Sequence, residues 1–188
     1  MREFILASQS PRRKQLLEWA EIPFRIIVSD ALEQYPTHLK PEEVPEYIAR
    51  EKAGLVLQKA LPHDVVIAAD TVVVLDGEII GKPANREEGI AILSRLSGRK
   101  HRVITGVVIG NSQRNVSFND ITEVEFHTLS SSQISFYIDK YQPYDKAGAY
   151  AIQEWIGVVG IKQIKGDFYN VMGLPVSRVV AELENWKG

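Results

Sequence analysis

The sequence predicts a mixed α/β fold, a sheet of mixed strand direction flanked by helices. Three observations lead there. Short apolar runs of strand length mix with segments whose apolar residues recur at helical spacing. The order of these segments does not follow a strict βαβ alternation. An Asp76-Gly77 pair inside the most β-prone stretch marks a tight turn, which makes a hairpin of one long apolar run.

Residues 3–8, EFILAS, read as a buried strand broken at Ser8. Residues 10–22 read as a helix, with Ser10 as N-cap, Pro11 in the first helical position and Leu16, Leu17, Trp19 and Ala20 at helical spacing. FRIIVSD, 24–30, is strand-like, and 40–62 carry a long helical pattern with acids in its first turn. The predicted hairpin spans 64–81. Asn85 then caps a helix, with Glu88 in the capping-box position and Gly98 closing it. Residues 101–110 and 120–130 are strand-like, separated by a polar turn, NSQRNVSFN, at 111–119. A helix follows over 131–141, then a Gly- and aromatic-rich segment over 145–175, then a last helix over 175–186. No repeat, low-complexity tract or linker divides the chain, so a single domain over 1–188 is expected.

Composition bounds the function. At 45% hydrophobic and 24% charged, the 188 residues can build a substantial core. A net charge of −2 gives no field attracting a polyanion such as nucleic acid, so any phosphate affinity must come from local clustering. The absence of cysteine excludes disulfides and cysteine-liganded zinc. The first ten residues lack the apolar core of a signal peptide, and no run approaches the roughly 20 apolar residues that cross a bilayer. A soluble, cytoplasmic protein with no membrane association is the expectation.

Several residues could carry chemistry. Arg12, Arg13 and Lys14 crowd the first turn of the first helix, where the dipole prefers acids. With Ser8 they make either an anion site at a strand–helix junction or a solvated basic turn. Asp70, after five apolar residues, is expected at the mouth of a core strand, as an active carboxylate or as a turn acid. Glu33 follows another apolar run and could approach the same crevice, where two carboxylates and phosphate oxygens suit Mg²⁺ or Mn²⁺. Lys52 falls on the apolar arc of Val44, Ile48, Leu55 and Val56 at about 100° per residue, so its stem snorkels or its head meets an anion. Lys82 lies between Gly81 and Pro83, either a solvated turn lysine or a point charge for phosphate on a stiff loop. Ala147, Gly148 and Ala149 permit close approach to a flat ligand, and Gln153 can donate and accept; core filling is the competing reading. His101 and the Thr105-Gly106 pair are weaker signals. No P-loop, dinucleotide fingerprint or nucleophile elbow is present.

Six stretches, LASQSPRR, AADTVV, GKP, HRVITGV, YDKAGAYAIQ and GDFYNVMGLP, closely resemble the Maf family of nucleotide pyrophosphatases, in family order over nearly the entire chain. The resemblance implies an elongated mixed sheet with two lobes around a cleft, as in inosine triphosphate pyrophosphatases. It also implies hydrolysis of a nucleoside triphosphate between the α- and β-phosphates, with a divalent cation (Mg²⁺, Mn²⁺ or Co²⁺). Asp70 matches the family's proton acceptor and, with Glu33, its metal site. Ser8, Arg13, Lys52 and Lys82 match phosphate-site positions. Arg12, Thr71 and Gln153 match the branch similar to enzymes acting on dTTP and UTP; the branch preferring 7-methyl-GTP has a bulky aromatic and an acid in place of Arg12 and Gln153. A neutral amide suits the O4 and N3–H edge of thymine or uracil, whereas a carboxylate suits the cationic methylguanine ring. The family is further associated with removal of unwanted nucleotides and with inhibition of septum formation, and a homodimer is compatible with it. A non-catalytic nucleotide sensor regulating septum formation is the alternative; a nucleic-acid binder fits the charge poorly.

Overall fold

The computed structural model describes residues 3–186. In chain order the first elements are β1 (Phe4–Leu6), α1 (Pro11–Trp19), β2 (Phe24–Ile26), α2 (Val44–Leu57), β3 (Val65–Leu75) and β4 (Glu78–Ile80). Next come α3 (Arg86–Leu96), β5 (Lys100–Gly110), β6 (Asn115–Phe126) and α4 (Ser131–Tyr141). After a 3-10 turn at Ala147–Ala149 the chain ends with α5 (Trp155–Gly160), β7 (Ile161–Lys165), α6 (Phe168–Met172) and α7 (Val176–Glu184). The strands form the expected mixed sheet, in the order β2-β1-β3-β5-β6-β7 with β4 paired to β3. β1 runs parallel to β2 and β3, whereas β3–β4 and β6–β7 are antiparallel.

The chain divides into two compact units. The first comprises the residues through Thr71, Thr105–Asp120 and those from Gly173 onward. Its core sets α2 against the sheet through Ile5, Ala7, Ala49, Ala53, Val56, Val66, Ala68 and Val108. Small residues at 49 and 53 let the helix lie close, and burying each larger aliphatic contributes about 1.5–3 kcal/mol. The closest approach is at Gly106, where a Cβ would stand 2.1 Å from the backbone nitrogen of Glu46.

The second unit comprises Val72–Ile104 and Ile121–Met172. Its hairpin turns at Asp76 and Gly77, both with positive φ (53° and 82°), as a two-residue loop between β3 and β4 requires. Helix α3 packs on α4. His101 stacks on Phe126 at 5.5 Å between centroids, and its Nε2 lies 2.7 Å from the Tyr150 hydroxyl. Asn170 donates to the carbonyl of Val103 and to Thr122 Oγ1.

Several expectations need correction. Trp19 is 59% exposed, because the chain leaves α1 there and only Leu16 and Leu17 reach the core. β2 stops at Ile26, short of residue 30, and α2 begins at Val44 rather than near Lys40. In α2 the buried stripe is Val44, Ile48, Lys52 and Val56; Leu55 lies off it and is exposed. The polar turn is confined to 111–114, since alternating residues of NVSFN extend β6 back to Asn115. Asn85 does cap α3 through the amide of Glu88, but the Glu88 carboxylate accepts from Ala84, one residue before the cap.

Candidate active site

Within the first unit, β3 brings two groups of side chains together. Residues 66, 68 and 70 share one strand face, the face covered by α2, because successive side chains alternate. Asp70 therefore meets Lys52, one residue before Ala53 on the same helix. Lys52 Nζ donates to Asp70 Oδ1 at 2.7 Å and to Glu33 Oε1 at 3.0 Å. Lys52 and Asp70 are both buried, while the Glu33 side chain, on the loop between β2 and α2, is 47% exposed. Lys52 thus meets anions rather than snorkelling. Asp70 does not lie at a strand mouth as expected: β3 continues through it to Leu75.

Thr71, the next residue, takes the opposite face and meets Arg13. Arg13 is buried, and its guanidinium donates from Nε to the Gly173 carbonyl (2.7 Å), from Nη1 to Ser8 Oγ (3.3 Å) and from Nη2 to Thr71 Oγ1 (2.9 Å). Thr71 Oγ1 in turn lies 2.9 Å from Thr105 Oγ1. All these acceptors are neutral. Burial lowers the Arg13 pKa from its ordinary value; Asp70 and Glu33 oppose that, and Arg12 adds to it. Two N–H donors of the guanidinium remain beyond these three bonds, which suits paired phosphate oxygens.

Local sequence accounts for the position of Arg13. Ser10 is extended (φ −64°, ψ 117°) and its hydroxyl accepts from the Arg13 amide at 3.4 Å, with Pro11 at the helix start. Ser8 Oγ also accepts from the Ser10 amide at 3.1 Å, which ties the strand–helix junction together. Gly173, at φ +117°, presents its carbonyl in a conformation closed to most side chains. Of the other first-turn cations, Arg12 is half-buried, and exposed Lys14 pairs with Glu18 at 3.4 Å.

The donors fit a divalent cation of the hard, oxygen-seeking kind. Two carboxylates on one ammonium leave one net negative formal charge, and both face the same nitrogen. No group of three or more His, Asp or Glu among the described residues could hold an ion alone. One or two carboxylates completed by substrate phosphates is the usual Mg²⁺ arrangement.

The structure therefore gathers Lys52, Asp70 and Glu33 on one face of β3 and Arg13, Ser8 and Thr71 on the other, with Asp70 and Glu33 acting on Arg13 through charge alone. Lys82 and Gln153 belong to the second unit, both exposed, Lys82 on the loop after β4 and Gln153 on a turn before α5. Gly148 makes close core contact there: a Cβ would lie 2.9 Å from the Val73 side chain, which favours the core-filling reading of that backbone. Sequence reasoning missed the Gly173 carbonyl altogether and undervalued Thr105. A carbonyl has no residue-type signature, and nothing local marks a partner 160 positions away.

Comparison with known proteins bears on the family and the fold. A family model described as Maf-like protein matches residues 3–186. The chain is 52% identical over 182 residues to a dTTP/UTP pyrophosphatase of Cytophaga hutchinsonii, covering 97% of this chain and 83% of that protein. It is 46% identical to one of Bacteroides thetaiotaomicron, covering 97% and 95%. Among solved structures, the Ham1 protein of Staphylococcus aureus shares the fold, with a TM-score of 0.54 and 18% identity over 98% of this chain and all of that one.

Proposed function

The chain belongs to the Maf-like protein family, and from that premise we propose that it hydrolyses dTTP and UTP to the nucleoside monophosphate and pyrophosphate. The observation that carries the reading is the buried Asp70 held with Glu33 on one lysine nitrogen, within the field of an arginine bonded only to neutral oxygens. The names of the relatives support the choice of substrate.

Water adds to phosphorus, the α–β anhydride bond breaks, and the water's proton passes to Asp70. Lys52 orients that carboxylate through Oδ1, leaving Oδ2 to take the proton. Arg13, Lys52 and Lys82, with Ser8, stabilise charge on the phosphates and on the departing pyrophosphate. Glu33 and Asp70 would hold a divalent cation (Mg²⁺, Mn²⁺ or Co²⁺), which when bound neutralises phosphate charge. Arg12, Thr71 and Gln153 set the preference for pyrimidines, Gln153 by pairing with the O4 and N3–H edge. Thr71 acts indirectly in this scheme, by seating Arg13. The reading extends to a cytoplasmic house-cleaning role, with modified pyrimidine nucleotides among the substrates, and to an effect on septum formation.

Purified protein incubated with a divalent cation and a panel of triphosphates tests this. Pyrophosphate release from dTTP and UTP, abolished by EDTA, is the expected result. Asp70→Asn should end turnover while leaving the fold and much of the nucleotide affinity intact; near-normal hydrolysis by that variant removes Asp70 from the mechanism. Tight binding of intact nucleotide would make the protein a sensor instead, and a preference for 7-methyl-GTP would overturn the pyrimidine assignment.

A further inference from the structure

The turn that carries Gln153 is locked from beneath by groups with no place in the chemistry above. All of them lie in the second unit. Tyr137, on α4, is fully buried and stacks on Tyr141 at 4.9 Å. Its hydroxyl accepts from the Ala151 amide at 3.1 Å and donates to Glu154 Oε2. Glu154 Oε1 lies 3.8 Å from Lys146 Nζ. Although Glu154 is the N-cap of α5, its side chain makes no capping bond, because the carboxylate is committed to Tyr137. The Glu154 amide closes back on the Ala151 carbonyl at 3.1 Å, and the Gly157 amide on the Glu154 carbonyl at 2.9 Å. At Gly157 a Cβ would stand 1.7 Å from the Ile152 carbonyl oxygen, so the first turn of α5 sits directly on the backbone of the turn.

Ala151 and Ile152 are 5% and 4% exposed, whereas Gln153 is exposed between neighbours fixed on both sides. An amide that reads the edge of a flat ring works only if its backbone is held to about half an ångström. A single hydroxyl ties together the residues two before and one after Gln153. The platform beneath is stiff as well, since α4 starts in a reciprocal capping box between Ser130 and Gln133.

We infer that Tyr137 is a positioning residue for Gln153: by bridging Ala151 and Glu154 it holds the turn from which the base is read, and so governs discrimination between bases rather than the hydrolytic step. The inference rests on the assignment of Gln153 as the base reader. Tyr137→Phe removes the bridge and keeps the ring; Glu154→Gln keeps an acceptor for the hydroxyl.

The test measures kcat and KM for pyrophosphate release from dTTP and CTP, together with amide hydrogen exchange across residues 146–160. In Tyr137→Phe the dTTP-to-CTP ratio of kcat/KM should fall about threefold to tenfold, the scale of one net hydrogen bond. The loss should lie in the KM for dTTP, with kcat preserved and exchange faster only around 151–157. Glu154→Gln should retain most of the ratio. Equal losses for both nucleotides, or a loosened turn with an unchanged ratio, would show a merely structural tyrosine and overturn the inference. Unchanged exchange in Tyr137→Phe overturns it too, whether or not the wild type hydrolyses dTTP. Wild-type protein that releases pyrophosphate from no triphosphate overturns the hydrolase reading and the discrimination with it, while exchange still decides whether Tyr137 holds the turn.

Discussion

Arg13 is a buried cation whose hydrogen bonds run to a carbonyl and two hydroxyls, and the proposed function gives it a substrate phosphate as its anionic partner. The Thr71 hydroxyl is the hub, since it touches Arg13, Thr105 and the Gly173 carbonyl. Thr71→Val keeps the shape but strands a charged donor, so it should cost about 1–3 kcal/mol of stability and lower kcat/KM. Thr105→Val should act through the same hub, so urea denaturation of the double variant should show less than the summed loss. Additive losses would mean that the two hydroxyls do not cooperate. His101 makes a separate residue-scale prediction. Burial pulls its pKa from 6.5 down to about 4, and its Nδ1 is buried without a partner. The folded state therefore resists protonation, and the unfolded chain binds the proton first as pH falls. Stability from this group is complete above about pH 6.5 and is lost as pH drops toward 4, by about 3 kcal/mol in total. Proton NMR of the imidazole rings should find one histidine titrating near 4, and a ring that titrates near 6.5 at position 101 would overturn the assignment.

At the scale of elements, α2 decides the geometry of the site, because it carries Lys52 and lies against β5 at Gly106. Gly106→Ala would drive a methyl into the backbone of Pro45 and Glu46. It should cost about 3 kcal/mol or more and, by shifting α2, should reduce turnover in the folded fraction. Gly54 on the same helix has nothing within 4 Å of an added Cβ, so Gly54→Ala should stabilise by about 0.5–1 kcal/mol. The opposite signs of two identical substitutions, read by thermal and urea denaturation, check the packing of α2 on the sheet.

For the whole molecule, charge and ligand linkage make the test. A net charge of −2 supplies no overall field for a polyanion, so the proposed function requires phosphate affinity from the clustered site alone. A non-hydrolysable dTTP analogue with Mg²⁺ should raise the melting temperature, the gain reaching about 2.7 kcal/mol at a hundredfold excess over Kd. Duplex DNA at the same phosphate concentration should leave it unchanged. A shift with DNA but none with the nucleotide would overturn the proposed function at this scale. No helix among the described residues is long and apolar enough to cross a membrane.

Much of this protein is legible in its sequence wherever the interactions are local. Ser10 and Pro11 mark the start of α1, Asp76-Gly77 the hairpin, and Asn85 the cap of α3, because a turn or a helix end is satisfied by residues three or four positions away. Hydrophobic period places Lys52 on a buried face. The six family stretches hold Ser8, Arg13, Asp70 and Thr71, so residue type and order alone make these four candidates. What tertiary structure alone decides is which of those residues meet. Asp70 sits mid-strand opposite Lys52, Arg13 is held by a carbonyl 160 residues away, and Thr71 acts as a hydroxyl hub. Those contacts depend on strand register and on the close approach that Gly106 permits, and neither leaves a periodic or compositional trace in the chain.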